Sequence, residues 1–196
     1  MENPNDLHHR WMTFWRGRYQ VRNRRDNSDQ TRRVQSLLLS KLTPADYYED
    51  GMDFGCGEGR FVSTLTNHVG HLWGVDILPE LGEQLAGVSP FFSYQLASFL
   101  ELPKCPKLDF LWASFVFQHL VDQEAFELAA RGLRDLLKPG ARVLILDNAV
   151  DKAYHVRSRK PEEFVAALGL RPGWKAELVT VNQRAEDHWL LDSTRQ

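Results

Sequence analysis

Gly51-Met52-Asp53-Phe54-Gly55-Cys56-Gly57-Glu58-Gly59-Arg60-Phe61 is the stretch whose reading decides the fold. A short apolar run from Tyr48 ends on an acid, three glycines follow at alternate positions, and an apolar pattern at helical spacing then begins. A glycine turn between a strand and a helix lets backbone approach a ligand closely, because no side chain stands in the way. Such a turn also serves as a plain connector, so its meaning depends on what the remaining chain brings to it.

Working outward, strands and helices alternate. Thr31 to Leu42 reads as an amphipathic helix carrying Val34, Leu37, Leu38 and Leu42, closed by Thr43-Pro44. Tyr48 to Phe54 is the first strand. Arg60 to Val69 is expected as a helix from the four-residue spacing of Phe61, Leu65 and Val69, with Gly70 ending it. His71 to Asp76 is a second strand, and Pro79 opens a helix to Ala86. Phe91 to Leu96 and Leu108 to Ala113 are strands three and four. Asp122 caps a helix bearing Phe126, Ala129, Leu133, Leu136 and Leu137, stopped by Lys138-Pro139-Gly140. Arg142 to Leu146 is strand five, and Pro161 to Leu168 is a helix ended by Gly169. Ala176 to Val181 and His188 to Leu191 close the chain as a strand pair.

This alternation predicts an α/β, three-layer, doubly wound Rossmann-like sheet. The few residues between the last two strands cannot make a parallel crossover, so the final strand runs antiparallel. Ligands in such sheets bind beyond the carboxyl ends of the strands, where the order reverses. Asp76 ends strand two about 20 residues after the glycine turn, the position from which a carboxylate accepts hydrogen bonds from a ribose. The alternative is a simple cap ahead of Pro79.

The chain has 196 residues, 43% hydrophobic and 26% charged, which suits one globular domain with a real core. Net charge is −2, so a globally basic nucleic-acid binder is not indicated. Residues 1–33 nevertheless carry eight arginines against four acids. Within them Trp11, Phe14, Trp15 and Arg18 share one helical face, either buried as a cap or acting as a lid over a substrate pocket. The expected division is 1–43, a basic and aromatic helical cap, and 44–196, a ligand-binding domain. Cys56 and Cys105 form neither a zinc spacing nor a disulfide framework, and no apolar leader or long apolar span appears. A reducing, cytoplasmic setting is expected, with no membrane partner and a monomer or homodimer.

On Asp53-Phe54-Gly55-Cys56-Gly57-Glu58-Gly59, Gly74-Val75-Asp76, Leu102-Pro103, Leu108 to Ser114 and Leu137-Lys138-Pro139-Gly140, the chain resembles the class I S-adenosylmethionine-dependent methyltransferases over residues 48–192. The resemblance implies strand order 3-2-1-4-5-7-6 with strand 7 antiparallel. A dehydrogenase fingerprint would need G-x-G-x-x-G; here Gly55, Gly57 and Gly59 alternate behind an acid, which suits an ammonium and not a pyrophosphate. The implied cofactor is S-adenosyl-L-methionine, with S-adenosyl-L-homocysteine as product. Asp53 would sit near its amino group, partly through water. Gly55, Cys56, Gly57 and Gly59 would line its amino-acid and ribose portions. Asp76 would hold the ribose hydroxyls, and Ile77 would lie on the adenine. Ser98 and the Phe99 N–H would meet the adenine edge, although the family often has an acid where Ser98 stands. Ser114 would lie by the methionine end.

The acceptor is less legible. No N-P-P-Y or D-P-P-Y signature and no Pro-Cys nucleophile appears, which counts against a nucleobase target. The N-terminal arginines leave a nucleic-acid partner open but not favoured. His119 is a candidate base or a packing residue. Asp147-Asn148 after strand five are expected to face the substrate, and Tyr154, His155 and Arg157 follow in a loop that either closes the pocket or is solvated. The run from Trp112 to Asp122 with Asp147-Asn148 also resembles the protein N-terminal α-amine methyltransferases, which would give His119 and Asn148 roles toward an amine. The favoured reading is methyl transfer to an O or N nucleophile of a small molecule. A protein α-amine enzyme, a nucleic-acid enzyme and a non-catalytic cofactor-binding module are the alternatives.

Overall fold

The computed structural model describes residues 9–17, 28–96, 101–150, 156–181 and 188–194. The elements run α1 (9–17), α2 (Ser28–Lys41), β1 (Tyr48–Phe54), α3 (Val62–Leu65), β2 (Val69–Asp76), α4 (Glu80–Leu85), β3 (Phe92–Leu96), β4 (Leu108–Ser114), a 3-10 turn (Phe117–His119), α5 (Gln123–Leu136), β5 (Leu137–Asn148), α6 (Pro161–Leu168), β6 (Lys175–Val179) and β7 (His188–Thr194). The seven strands form one sheet in the order β3-β2-β1-β4-β5-β7-β6, as expected. β7 runs antiparallel to both β5 and β6, and the other pairings are parallel.

Each face of the sheet has its own core. On one side Met52, Leu111, Ala113, Val143 and Ile145 pack with Phe126, Ala129 and Leu133 of α5 and with Phe164 and Leu168 of α6. On the other, Phe110, Trp112, Leu144 and Leu146 pack with Val34 and Leu38 of α2 and with Phe61 and Leu65. Strands buried on both faces explain why β4 and β5 read as nearly continuous apolar runs. The caps follow the sequence: Asp122 accepts from the Ala125 N–H at 3.1 Å, and Gly169 ends α6 at φ 63°.

Two expectations are corrected. The helix expected from Arg60 to Val69 is a single turn, Val62–Leu65. Thr66 and Asn67 side chains donate to the carbonyls of Val62 and Ser63, and the last amides tighten onto residues three back. Val69 then enters β2 opposite Tyr48. Phe61, Leu65 and Val69 are all buried in one cluster, so the spacing reported burial correctly but two elements share it. The second correction concerns Lys138-Pro139-Gly140. It does end α5, but β5 begins before it, at Leu137 opposite Leu108. The extra residues are absorbed where the β4–β5 register shifts, with Gly140 at φ 84°.

Candidate functional site

The carboxyl ends of β1, β2, β4 and β5 lie side by side. Phe54 is level with Val75 of β2 and Ala113 of β4, and Ser114 is level with Leu146 of β5. The chain leaves these ends through segments of unusual backbone. Gly55, Gly57 and Gly59 have φ of 75°, 52° and 71°, and Phe115 has φ of 60°. A side chain on Gly55 would be strained and would also meet Val116, whose Cγ2 lies 2.1 Å from the Cβ position. Phe115 in the left-handed region swings Val116 across the glycine turn, and its N–H donates to the Leu146 carbonyl at 2.8 Å. Strain of this kind persists where the surroundings over-determine it.

The glycine turn is held from within the protein. The Gly55 and Cys56 N–H groups both donate to the Val75 carbonyl, at 2.7 and 3.0 Å. The Gly57 N–H donates to Asp76 Oδ2 at 3.0 Å. The N–H groups of Gly55, Cys56 and Gly57 are thus engaged within the protein, and the turn orients the carboxylate. Asp76 Oδ1 accepts from Ile77 N at 2.8 Å and Leu78 N at 3.3 Å, so three backbone donors fix the group. Burial raises its pKa and those donors oppose the rise. Each oxygen keeps acceptor capacity for a hydroxyl pair.

Asp53, one strand over, is 1% exposed, and its Oδ2 has no hydrogen-bond partner among the described residues. Burial pushes its carboxyl up to about 7, the positive Arg60 lowers it, and the neighbouring Asp76 raises it. A buried, unsatisfied carboxylate oxygen is expensive unless a cation or donor reaches it. Ser114 lies 7% exposed at the end of β4. Cys56 is 4% exposed and packs with Leu78, Leu81 and Leu85, while Ile77 lies half-buried beside them. At Gly59 a Cβ would stand 2.6 Å from Leu85 Cδ2, so this glycine admits close packing of α4. Ser98 and Phe99 lie outside the described residues, as do Arg18, Asp151, Tyr154 and His155.

Beyond β4 the chain forms the second half of the site. His119 closes the 3-10 turn, and Gln118 precedes it with 7% exposure. Asn148 Nδ2 donates to Gln118 Oε1, and Gln118 Nε2 lies 3.0 Å from His119 Nε2. Asp147, expected with Asn148 to face the substrate, is buried beside the turn. It is 3% exposed, and its carboxylate accepts from Gln118 N and Asn148 N, each at 2.9 Å. Burial raises it to about 7 against those two donors and the positive Arg159. Arg159 donates to the carbonyls of Phe117 and Leu120 and stacks 4.0 Å above the Phe126 ring, so it clamps the turn from below. The Arg157 N–H donates to the Gln118 carbonyl at 2.8 Å.

α1 spans both halves. The Trp15 ring meets His119 edge-on at 4.4 Å and belongs to the apolar group of Cys56, Leu78, Leu81 and Leu85. The Trp11 ring lies 6.5 Å from His119, and Arg16 pairs with Glu80 of α4. Sequence reasoning missed Gln118, Arg159 and the Arg16–Glu80 pair. Gln118 stands in an apolar run, Phe115 to Val121, that gives no sign of a buried polar bridge. Arg159 sits in a polar stretch that reads as loop, and an ion pair across 64 residues leaves no local trace. The aromatic spacing in α1 was the one available signal for the roof.

The arrangement offers two buried carboxylates beside a glycine turn, one fixed for a diol and one awaiting a cation or donor. An aromatic roof, Trp11 and Trp15, covers the His119 imidazole, and Trp15 extends from it to the Cys56 group. A family profile described as a methyltransferase domain matches residues 52–145. Among solved structures, a Burkholderia thailandensis 1,6-didemethyltoxoflavin-N1-methyltransferase, with 1,6-didemethyltoxoflavin and S-adenosylhomocysteine bound, superposes with a TM-score of 0.71 at 17% identity. The match covers 100% of this chain and 91% of that one. The N-methyltransferase NodS from Bradyrhizobium japonicum WM9 gives 0.68 at 19% identity, over 87% and 98% of the two chains. The [4+2]-cyclase SpnF gives 0.64 at 16% identity, over 83% and 80%. At these identities the likeness establishes the fold, and a cyclase on the same fold shows that fold alone does not choose the reaction. A search of curated protein sequences finds no match.

Proposed function

We propose that the chain, which matches the methyltransferase-domain profile over residues 52–145 and has the fold of the class I S-adenosylmethionine-dependent methyltransferases, transfers the methyl group of that cofactor to an oxygen or nitrogen of a small molecule. The residues present fit the cofactor, S-adenosyl-L-methionine, on two grounds: the three-donor clamp on Asp76 and the partnerless Asp53 Oδ2. Asp76 would accept from the two ribose hydroxyls. Asp53 would balance the amino group through water, and Ile77 would lie against the adenine. Gly57, with open space where a Cβ would stand, would leave the wall beside the cofactor free of a side chain, and Ser114 would lie at the methionine end. When bound, the cofactor supplies an electrophilic methyl carbon, and the protein's task is to orient the acceptor and keep water out.

The single observation that carries the acceptor class is the seating of α1. Trp15 reaches from the α4 apolar group to the His119 ring, 4.4 Å away, and Arg16 ties the same helix to Glu80. A roof of two tryptophans over the acceptor side suits a small, flat molecule better than a polymer. In the protein α-amine alternative Asn148 serves the incoming amine, whereas here its amide donates to Gln118.

Calorimetry with S-adenosylmethionine tests the donor site. Binding by the wild type and a roughly hundredfold loss in Asp76→Ala are expected, since hydrogen bonds to a charged group contribute about 1.5–3 kcal/mol. Absence of wild-type binding would sink this reading. For the acceptor, tritium transfer should reach small phenols, amines or N-heterocycles. Label appearing only in peptides or tRNA would replace the small-molecule reading.

A further inference from the structure

Gln118 joins the two residues assigned to the acceptor side. Its backbone is fixed at both ends, with the N–H donating to Asp147 Oδ2 at 2.9 Å and the carbonyl accepting from Arg157 N at 2.8 Å. Its side chain bridges Asn148 and His119. Asn148 Nδ2 donates to Gln118 Oε1, so the other end of the amide, Nε2, faces His119 Nε2 at 3.0 Å. An amide nitrogen only donates, and a ring nitrogen facing it must offer a bare lone pair. The imidazole proton then resides on Nδ1. With Gln118 7% exposed and Asn148 4% exposed, bulk water does not substitute for either partner.

We propose that Gln118 is a positioning residue that, oriented by Asn148, holds His119 as the neutral Nδ1–H tautomer with its Nε2 lone pair engaged. His119 then does not take a proton from the acceptor through Nε2. Protonating that atom requires the Gln118 amide to reverse, and reversal sets its NH2 against the Asn148 NH2 unless Asn148 turns as well. This consequence rests on the methyl-transfer reading: the acceptor must arrive with its lone pair already free near neutral pH. That class comprises ring nitrogens of low basicity and acidic, phenol-like hydroxyls.

The test is direct. In the full chain labelled with ¹⁵N-histidine, two-bond ¹H–¹⁵N correlations at neutral pH report which ring nitrogen bears the proton, and His119 is assigned by its loss in His119→Ala. The wild type should show a protonated Nδ1 and a bare Nε2. Asn148→Asp, nearly isosteric, replaces the donor with an acceptor and turns the Gln118 amide around. His119 Nε2 should then become proton-bearing, and the nitrogen shifts should move accordingly. Gln118→Glu should give the same shift by accepting directly from Nε2. A wild-type Nε2–H signal overturns the proposal, and so does an unchanged tautomer in either variant that retains a wild-type circular dichroism spectrum. If one variant fails to fold, the other and the wild-type spectrum decide. The tautomer is read without cofactor, so failure of calorimetric S-adenosylmethionine binding is a separate result about the methyl-transfer reading.

Discussion

The proposed methyl-donor side and the proposed acceptor side of this site are built differently. The donor side uses residues 53–59 and 76–78, two strand ends in adjacent register, and its decisive contacts run from backbone N–H groups to carboxylates. The acceptor side is assembled from α1, the 115–120 turn, Asp147-Asn148 and residues 157–159, held by side chains that reach across long sequence separations. Backbone-held geometry needs only glycine at the right places and an acid at a strand end. Side-chain-held geometry depends on each partner keeping its own support. The first should therefore fail abruptly at a few positions, and the second should weaken in steps.

The sharpest way to break the donor side is Gly55→Ala. It combines a left-handed φ with a methyl placed 2.1 Å from Val116 Cγ2, and it should cost about 3 kcal/mol in urea unfolding. Gly57→Ala has a similar φ but open space around its Cβ, so its loss should be smaller, about 1 kcal/mol; equal losses would place the effect in strain alone. On the acceptor side, Arg159→Met removes the donor of the Leu120 carbonyl and leaves the Phe117 carbonyl only the Leu120 N–H, and it should cost roughly 2 kcal/mol, with cofactor affinity nearly unchanged. Coupled loss of affinity would show that the two halves are one unit.

Proton linkage separates the halves next. Asp53 is raised to about 7 in the folded protein, so the unfolded chain releases this proton first as pH rises. The unfolded state thus binds fewer protons between the ordinary carboxylate range and pH 7, and stability falls across that window. Asp147, also about 7, acts in the same sense. Asp53→Asn should flatten the fall by on the order of 1 kcal/mol between pH 5 and pH 8. Near pH 6.5 S-adenosylmethionine binding should release protons, detectable as buffer-dependent calorimetric heat, and the release should vanish in Asp53→Asn. The smallest effect is expected from Arg16→Ala. Both members of its pair with Glu80 are over 40% exposed, so stability should change by less than about 0.5 kcal/mol. Tryptophan fluorescence quenching by acrylamide should nonetheless rise if that pair helps seat α1.

Legibility followed the same division. The antiparallel β7 and the glycine turn were readable because they rest on connection length and a required φ, and the strand order followed from the family resemblance. The Arg60–Val69 expectation erred because a four-residue apolar spacing is satisfied equally by one turn of helix followed by a strand on the same core. Asp147 was expected, with Asn148, to face the substrate because the pair follows strand five. Here two backbone N–H groups from separate segments hold it inside.

The sequence by itself determined the alternating layers and the antiparallel last strand, because hydrophobic period and connection length act on neighbours in the chain, while the strand order and the proposed cofactor residues came from the family resemblance. Only the tertiary structure decided what surrounds His119. Whether Gln118 offers it a donor, whether Asp147 lies beneath and whether Trp15 lies above depend on which distant backbones the sheet brings together. No residue's own chemistry carries that information, since an amide or a carboxylate takes its role from the partner that the fold places beside it.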